Sequence, residues 1–301
     1  MNKTISRRRW LGTAGALGAG IGLWGLPTRL VAAQAAKGAP HAEKLGWQLA
    51  CNAYTFNKLT LYETIDKVAG LGLKYTVGIN WQKLDPQRPG TIFSEQMSAA
   101  DRQETRKRLA DAGVKMPACY CKKQPDESAW RRLFDFCRDM GIEMIDGEPA
   151  FEDYDLLEKL CDEYRINLAV HNHAKPSPYW EPETLLKIFQ GRGRRIGACC
   201  DTGHWIRSGL PTAETLAKFQ GRLFTLDLKD LGEDGFAVPY GTGKGDIRGV
   251  LKELQRQRFR GLIGIEYGQR PPNGEAEVAQ CVAFFEQVCQ ELVHSASQPP
   301  T

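Results

Sequence analysis

From residue 47 to residue 292 the chain repeats one unit, a short apolar run followed by an amphipathic segment of helical spacing. The apolar runs fall at 47–53, 75–79, 115–120, 143–147, 167–170, 196–200, 223–228 and 262–265. Runs of this length with turn signals on both sides read as buried strands. The segments between them predict helices over 61–71, 100–112, 127–140, 154–164, 183–189, 213–219, 247–257 and 278–292. Several stop at a glycine, as helices do when the next residue must turn left-handed. Eight strands alternating with eight helices fit an α/β fold, the (β/α)8 TIM barrel, as a single domain over 45–294. A doubly wound sheet competes, but it usually carries a glycine-rich turn after its first strand, and Cys51-Asn52-Ala53-Tyr54 has none.

A barrel makes its own prediction about chemistry, because functional groups gather where strands end at the C-terminal face. Glu148 follows the fourth run, and His171-Asn172-His173 follows the fifth. Asp201 and His204 follow the sixth, Asp227 and Lys229 lie in or after the seventh, and Glu266 ends the eighth. The chain has five histidines, and three of them stand at these ends, which decides for a site over scattered polar residues. His171 and His173, two apart on a strand, are expected to share a face, as are Asp227 and Lys229. Asp201 alone could equally cap a following helix.

Carboxylates and imidazoles lining one cavity suit one divalent metal: Mn²⁺ or Mg²⁺ for a carboxylate-rich set, Zn²⁺ or Co²⁺ as imidazoles are added. Without a cation so many acids would repel one another, so removing one is expected to relieve the metal-free protein. The metal candidates are Glu148, His171, His173, Asp201, Asp227 and Glu266. Aromatic residues near the strand ends, among them Tyr54, Trp81, Trp205 and Tyr267, offer faces for a sugar ring. The glycine-rich stretch 241–246 lacks the spacing of a phosphate loop and reads as a turn capping the helix from Ile247.

Residues 1–35 differ from the rest. Arg7-Arg8-Arg9 precedes a glycine-rich apolar run and an Ala33-Gln34-Ala35 cleavage pattern, which resembles a twin-arginine signal peptide. Export to the periplasm, a linker over 36–44 and a disordered tail over 295–301 are therefore expected. The leader carries five basic residues and no acid, so the net charge of +4 becomes −1 without it. That balance offers nucleic acid no electrostatic footprint, and nothing after the leader reads as a membrane anchor. The nine cysteines are too few for a disulfide scaffold and sit in apolar patterns as core residues.

Several runs resemble the xylose-isomerase-like TIM-barrel superfamily, and within it the sugar phosphate isomerase/epimerase group. They are Val170-His171-Asn172-His173, D-T-G-H-W-I-R-S-G over 201–209, Leu226-Asp227-Leu228-Lys229-Asp230-Leu231, P-Y-G-T-G over 239–243 and Ile265-Glu266-Tyr267. The resemblance spans roughly 45–290. It implies one divalent metal held by Glu, Asp, His and Glu from the last four strands. Asp201 and Glu266 match two of those ligands, and His204 matches a substrate contact. Two positions depart: His171, with His173 beside it, stands for the fifth-strand Glu, and Asp227 stands for the seventh-strand His. Glu148 is then a candidate to compensate.

The resemblance implies a metal-dependent sugar isomerase or epimerase that abstracts a proton next to a carbonyl through an enediolate. Glu148, Glu266, His204 and Lys229 are the catalytic candidates, and His204, Trp205, Arg207, Lys229, Tyr54 and Tyr267 those for substrate binding. A lyase or hydratase on keto-sugars would use the same enediolate. A non-catalytic sugar-binding protein is the rival from another class, and a three-zinc DNA-repair endonuclease needs more histidines than the chain has. The expected partner is a small sugar; a homo-oligomer is left open.

Overall fold

The computed structural model describes residues 38–268 and 274–296; the leader expected over 1–35 lies outside them. The strands are β1 (Trp47–Asn52), β2 (Tyr75–Ile79), β3 (Lys83–Asp85), β4 (Arg88–Ile92) and β5 (Lys115–Tyr120). Then follow β6 (Met144–Gly147), β7 (Asn167–His171), β8 (Ile196–Asp201), β9 (Leu223–Leu228) and β10 (Gly261–Ile265). Eight of them close into a parallel barrel in the order β1-β10-β9-β8-β7-β6-β5-β2, while β3 and β4 pair as a separate antiparallel hairpin. The (β/α)8 barrel read from the sequence is the observed fold. The hairpin was not anticipated, since its strands are short and mostly exposed.

Period-two alternation sorts each strand between lumen and helices. Ala50, Val77, Ala118 and Leu262 come from four different strands yet pack on one another, which only the barrel interior allows. Intervening residues such as Leu49 and Cys51 join the larger core with Ile65, Val68, Leu133 and Phe285 from the surrounding helices. Each large apolar side chain buried there contributes about 1.5–3 kcal/mol. Arg222 ties down the end of the barrel where the strands begin, donating to the carbonyls of Phe189, Arg192, Gly193 and Ile196.

Two boundaries differ from expectation. Residues 40–44, read as linker, form the helix Pro40–Lys44, because Pro40 starts it, Ala42 is fully buried and the His41 N–H donates to the Glu286 carboxylate at 3.1 Å. The last helix runs Gly274–Ala296, so Ser295 and Ala296 continue it rather than starting a tail. All nine cysteines are free and buried, Cys119 and Cys121 included, and burial pushes both of these thiols up. Among the described residues no helix is long and apolar enough to cross a membrane.

Candidate active site

Strand register assembles the site. Asp201 pairs with Asp227 across β8 and β9, and Asp227 pairs with Gly264 across β9 and β10. Glu266 follows β10 directly, so three carboxylates meet at the mouth with ligand oxygens within 4.8 Å of one another. His171, the last residue of β7, puts Nε2 3.5 Å from both Asp201 Oδ2 and Asp227 Oδ2. Above this floor opens a cavity of about 500 Å³, lined on one side by Tyr54, Ile79, Trp81 and Tyr120 and on the other by His171, His173, His204 and Lys229.

Asp201 divides its oxygens between two tasks. Oδ1 accepts the His204 backbone N–H at 3.0 Å and caps the helix Thr202–Arg207. Oδ2 meets the Lys229 ammonium and the Nε2 atoms of His171 and His204. Cap and site residue are thus the same group. Burial alone would raise its pKa, but Lys229, His204 and His171 hold it well below the usual carboxylate range.

Lys229 Nζ also lies 2.8 Å from Glu266 Oε1. Burial pulls its pKa down, and Asp201 and Glu266 outweigh that and keep it charged. Glu266 responds oppositely to Asp201. Burial, reinforced by Asp227 and Asp201, pushes it up to about 7 against the pull of its one close cation. Burial likewise disfavours a charged His171, yet Asp201 and Asp227 raise it to about 10. His204 is kept neutral, pushed down to about 3 by burial with help from Lys229. The acids of the floor therefore have two internal cations, Lys229 and His171, so the repulsion expected of the metal-free protein is offset.

Glu148 stands behind the histidines and does not line the cavity. Its Oε1 lies 3.0 Å from His173 Nδ1 and accepts from the His173 N–H at 3.0 Å and the Ser177 hydroxyl at 2.8 Å. Burial opposes its charge, but these donors lower its pKa. His173 follows the end of β7 instead of lying on the strand, yet the His171 and His173 rings come within 4.6 Å, and His204 is 4.6 Å from His173. Tyr120 sets its ring edge-on to both His171 and His173.

The profile of the xylose isomerase-like TIM barrel matches residues 65–288. The chain belongs to this family. No curated protein sequence matches it. Among solved structures, an uncharacterised protein from Parabacteroides distasonis ATCC 8503 is 29% identical, with a TM-score of 0.66 over 84% of this chain and 100% of its own. A D-tagatose 3-epimerase-like protein is 14% identical, with a TM-score of 0.65 over 82% of this chain and 99% of its own. The IOLI protein, solved with a bound zinc atom, is 16% identical, with a TM-score of 0.60 over 84% of this chain and 100% of its own.

Within this xylose isomerase-like barrel, the expected residues separate. His171, Asp201, Asp227, Lys229 and Glu266 converge on the floor; Tyr54, His173, His204 and Arg207 line the cavity. Trp205 does not. It is buried on the outer side, stacked on Phe219 with centroids 5.8 Å apart, because its place on the helix turns it into the core. Tyr267 is also buried off the cavity, its N–H donating to Thr55 Oγ1 at 3.0 Å.

Four residues escaped the sequence reading. Asn52 donates to Asp227 at 3.1 Å and Glu266 at 3.3 Å, fixing both carboxylates. Asn172 brackets Asp201 by bonding its backbone N–H at 2.8 Å and its carbonyl at 3.0 Å. Asp146, fully buried under His171 and Asp227, has its pKa pushed well up by burial. Tyr120 is the fourth. All but Asn172 are strand residues on the lumen-facing parity, and that parity was the available signal.

Proposed function

We propose that the chain is a divalent-metal-dependent enzyme acting on a small sugar or sugar derivative, removing a proton next to a carbonyl. The observation that carries the reading is the convergence of Asp201, Asp227, Glu266 and His171 beneath a cavity walled by aromatic rings. Three carboxylates and one imidazole fit Mn²⁺ or Mg²⁺ by hardness, and the imidazole admits Zn²⁺ or Co²⁺. Bound there, the ion would act as a Lewis acid on a carbonyl oxygen and its neighbouring hydroxyl.

The chain's own groups supply the proton chemistry. Glu266 lines the cavity at the end of β10, with Lys229 against its Oε1, and is placed to take a proton from carbon and return it. Across the cavity Glu148 holds His173 by Nδ1, which leaves Nε2 free to exchange a proton with substrate. Neutral His204 serves as a hydrogen-bonding partner for substrate oxygens, and Arg207 stands at the same wall. Tyr54, Trp81 and Tyr120 offer apolar faces to the sugar and help exclude water. The D-tagatose 3-epimerase-like neighbour supports isomerase or epimerase chemistry. One feature favours a second outcome, lyase or hydratase action on a 3-keto-sugar: the histidine held by Glu148 can protonate a departing oxygen.

The test is metal analysis of the purified protein, followed by NMR detection of deuterium uptake from D₂O into a panel of keto-sugars. Bound metal with uptake next to the carbonyl is expected. A folded, metal-free protein that binds sugars without exchange would make it a sugar-binding protein instead. We assign the enzyme to the periplasm from the Arg7-Arg8 leader. An Arg7→Lys, Arg8→Lys pair should strand precursor in the cytoplasm, and unchanged delivery would refute that assignment.

A further inference from the structure

The Lys229 ammonium sits between two of the floor's carboxylates, Asp201 and Glu266. It bonds Asp201 Oδ2 and lies 2.8 Å from Glu266 Oε1. A divalent cation takes carboxylate oxygens at about 2.0–2.6 Å, so ion and ammonium cannot share the space between these two oxygens. Lys229's backbone is pinned: its N–H donates to Thr202 Oγ1 at 2.8 Å and its carbonyl accepts from the same hydroxyl at 3.0 Å. The four-carbon stem is the part able to move, and the cavity beside it has room.

Gly203 explains how that stem reaches inward. A Cβ built there would stand 2.4 Å from Lys229 Cδ and 2.9 Å from its Cβ. Gly203 is not among the positive-φ glycines, so its backbone makes no demand for glycine. The missing side chain is what lets the lysine lie flat across the helix start and enter the carboxylate cluster.

We propose that Lys229 is a built-in counter-cation that a divalent metal must displace. In the metal-free chain the ammonium neutralises Asp201 and Glu266 and keeps the mouth of the barrel assembled. Metal entry expels it into the cavity, where a substrate oxygen becomes its next partner. Loading the site and arming Lys229 for substrate are then one event. The inference rests on the metal reading of the same floor.

The test is calorimetric titration of the metal-free chain with MnCl₂, using wild type, Lys229→Met and Gly203→Ala. Breaking charged hydrogen bonds before the ion can enter weakens binding, so Lys229→Met should bind Mn²⁺ about 10- to 100-fold more tightly. Gly203→Ala keeps every charge but crowds the stem, and should shift affinity the same way by a smaller factor. Without metal, Lys229→Met should melt below wild type, and Mn²⁺ should restore it. If Lys229→Met does not fold without metal, Gly203→Ala carries the comparison. Equal Mn²⁺ affinity in wild type and variants would overturn the displacement and leave the metal site standing. Absence of Mn²⁺ uptake in all three would overturn both.

Discussion

The two halves of the barrel end their strands differently. β1, β2, β5 and β6 finish on Asn52, Ile79, Tyr120 and Gly147, and the wall they raise is aromatic, with Lys122 5.1 Å above the Trp81 ring. β7 to β10 finish on or beside His171, Asp201, Asp227, Lys229 and Glu266, nearly all buried and paired with one another. One half presents aromatic faces to the cavity; the other concentrates charge that a low-dielectric setting makes strong. The contrast teaches that a closed sheet can keep an aromatic wall and a charged floor apart by sequence halves without a second domain.

Breaking the charged half should have the largest effect. Asp201→Ala removes a cap and leaves the Lys229 ammonium buried with a single carboxylate contact. The expected loss is about 3–5 kcal/mol of folding stability, measured by urea denaturation, together with metal binding. This reverses the relief that acid clustering implied from the sequence, because Lys229 and His171 already offset the repulsion. A stability change near zero would show that the cluster is not held by its cations.

The two histidines sharpen the division within that half. His171 is buried against Asp201 and Asp227, so His171→Gln should weaken metal binding by about 10- to 100-fold. His173 faces the cavity from the Glu148 side, so His173→Gln should keep its metal and lose turnover. Glu148→Gln should follow His173→Gln in direction with a milder loss. Metal titration beside kcat on the three variants decides it, and equal metal loss at His171 and His173 would merge the roles separated here.

The smallest effect belongs to the aromatic half. Trp81→Ala removes a ring face, which an aromatic contact of about 0.5–1.5 kcal/mol converts to a 2- to 10-fold rise in KM with kcat kept. A fall in kcat of the same size would place that wall in the reaction as well.

Much of this was legible in the residues because period and position carry it. The strands and most helix ends follow from alternating apolar runs and glycine stops, and Asp201, His171 and Glu266 stood out as polar residues ending apolar runs. Asn52 and Asn172 did not, since an asparagine that orients a carboxylate looks like any turn residue until its partners are placed. Trp205 and Tyr267 misled for the opposite reason. An aromatic near a strand end suits a cavity, but direction depends on helix phase and turn geometry, which spacing alone did not fix. Lys229 was visible as a charge, whereas its path across Gly203 depends on contact between segments 26 residues apart in the chain.

Asp230, next to Lys229, points away from the cavity into the glycine-rich stretch 241–246, which the sequence marked as a turn. The N–H groups of Gly241, Gly243 and Gly245 all donate to its carboxylate, at 2.8, 3.0 and 2.8 Å. The loop is therefore an anion receptor already filled by its own chain. Its guest is the residue next to Lys229, so the receptor works as an anchor, fixing the backbone from which the Lys229 stem reaches into the carboxylates.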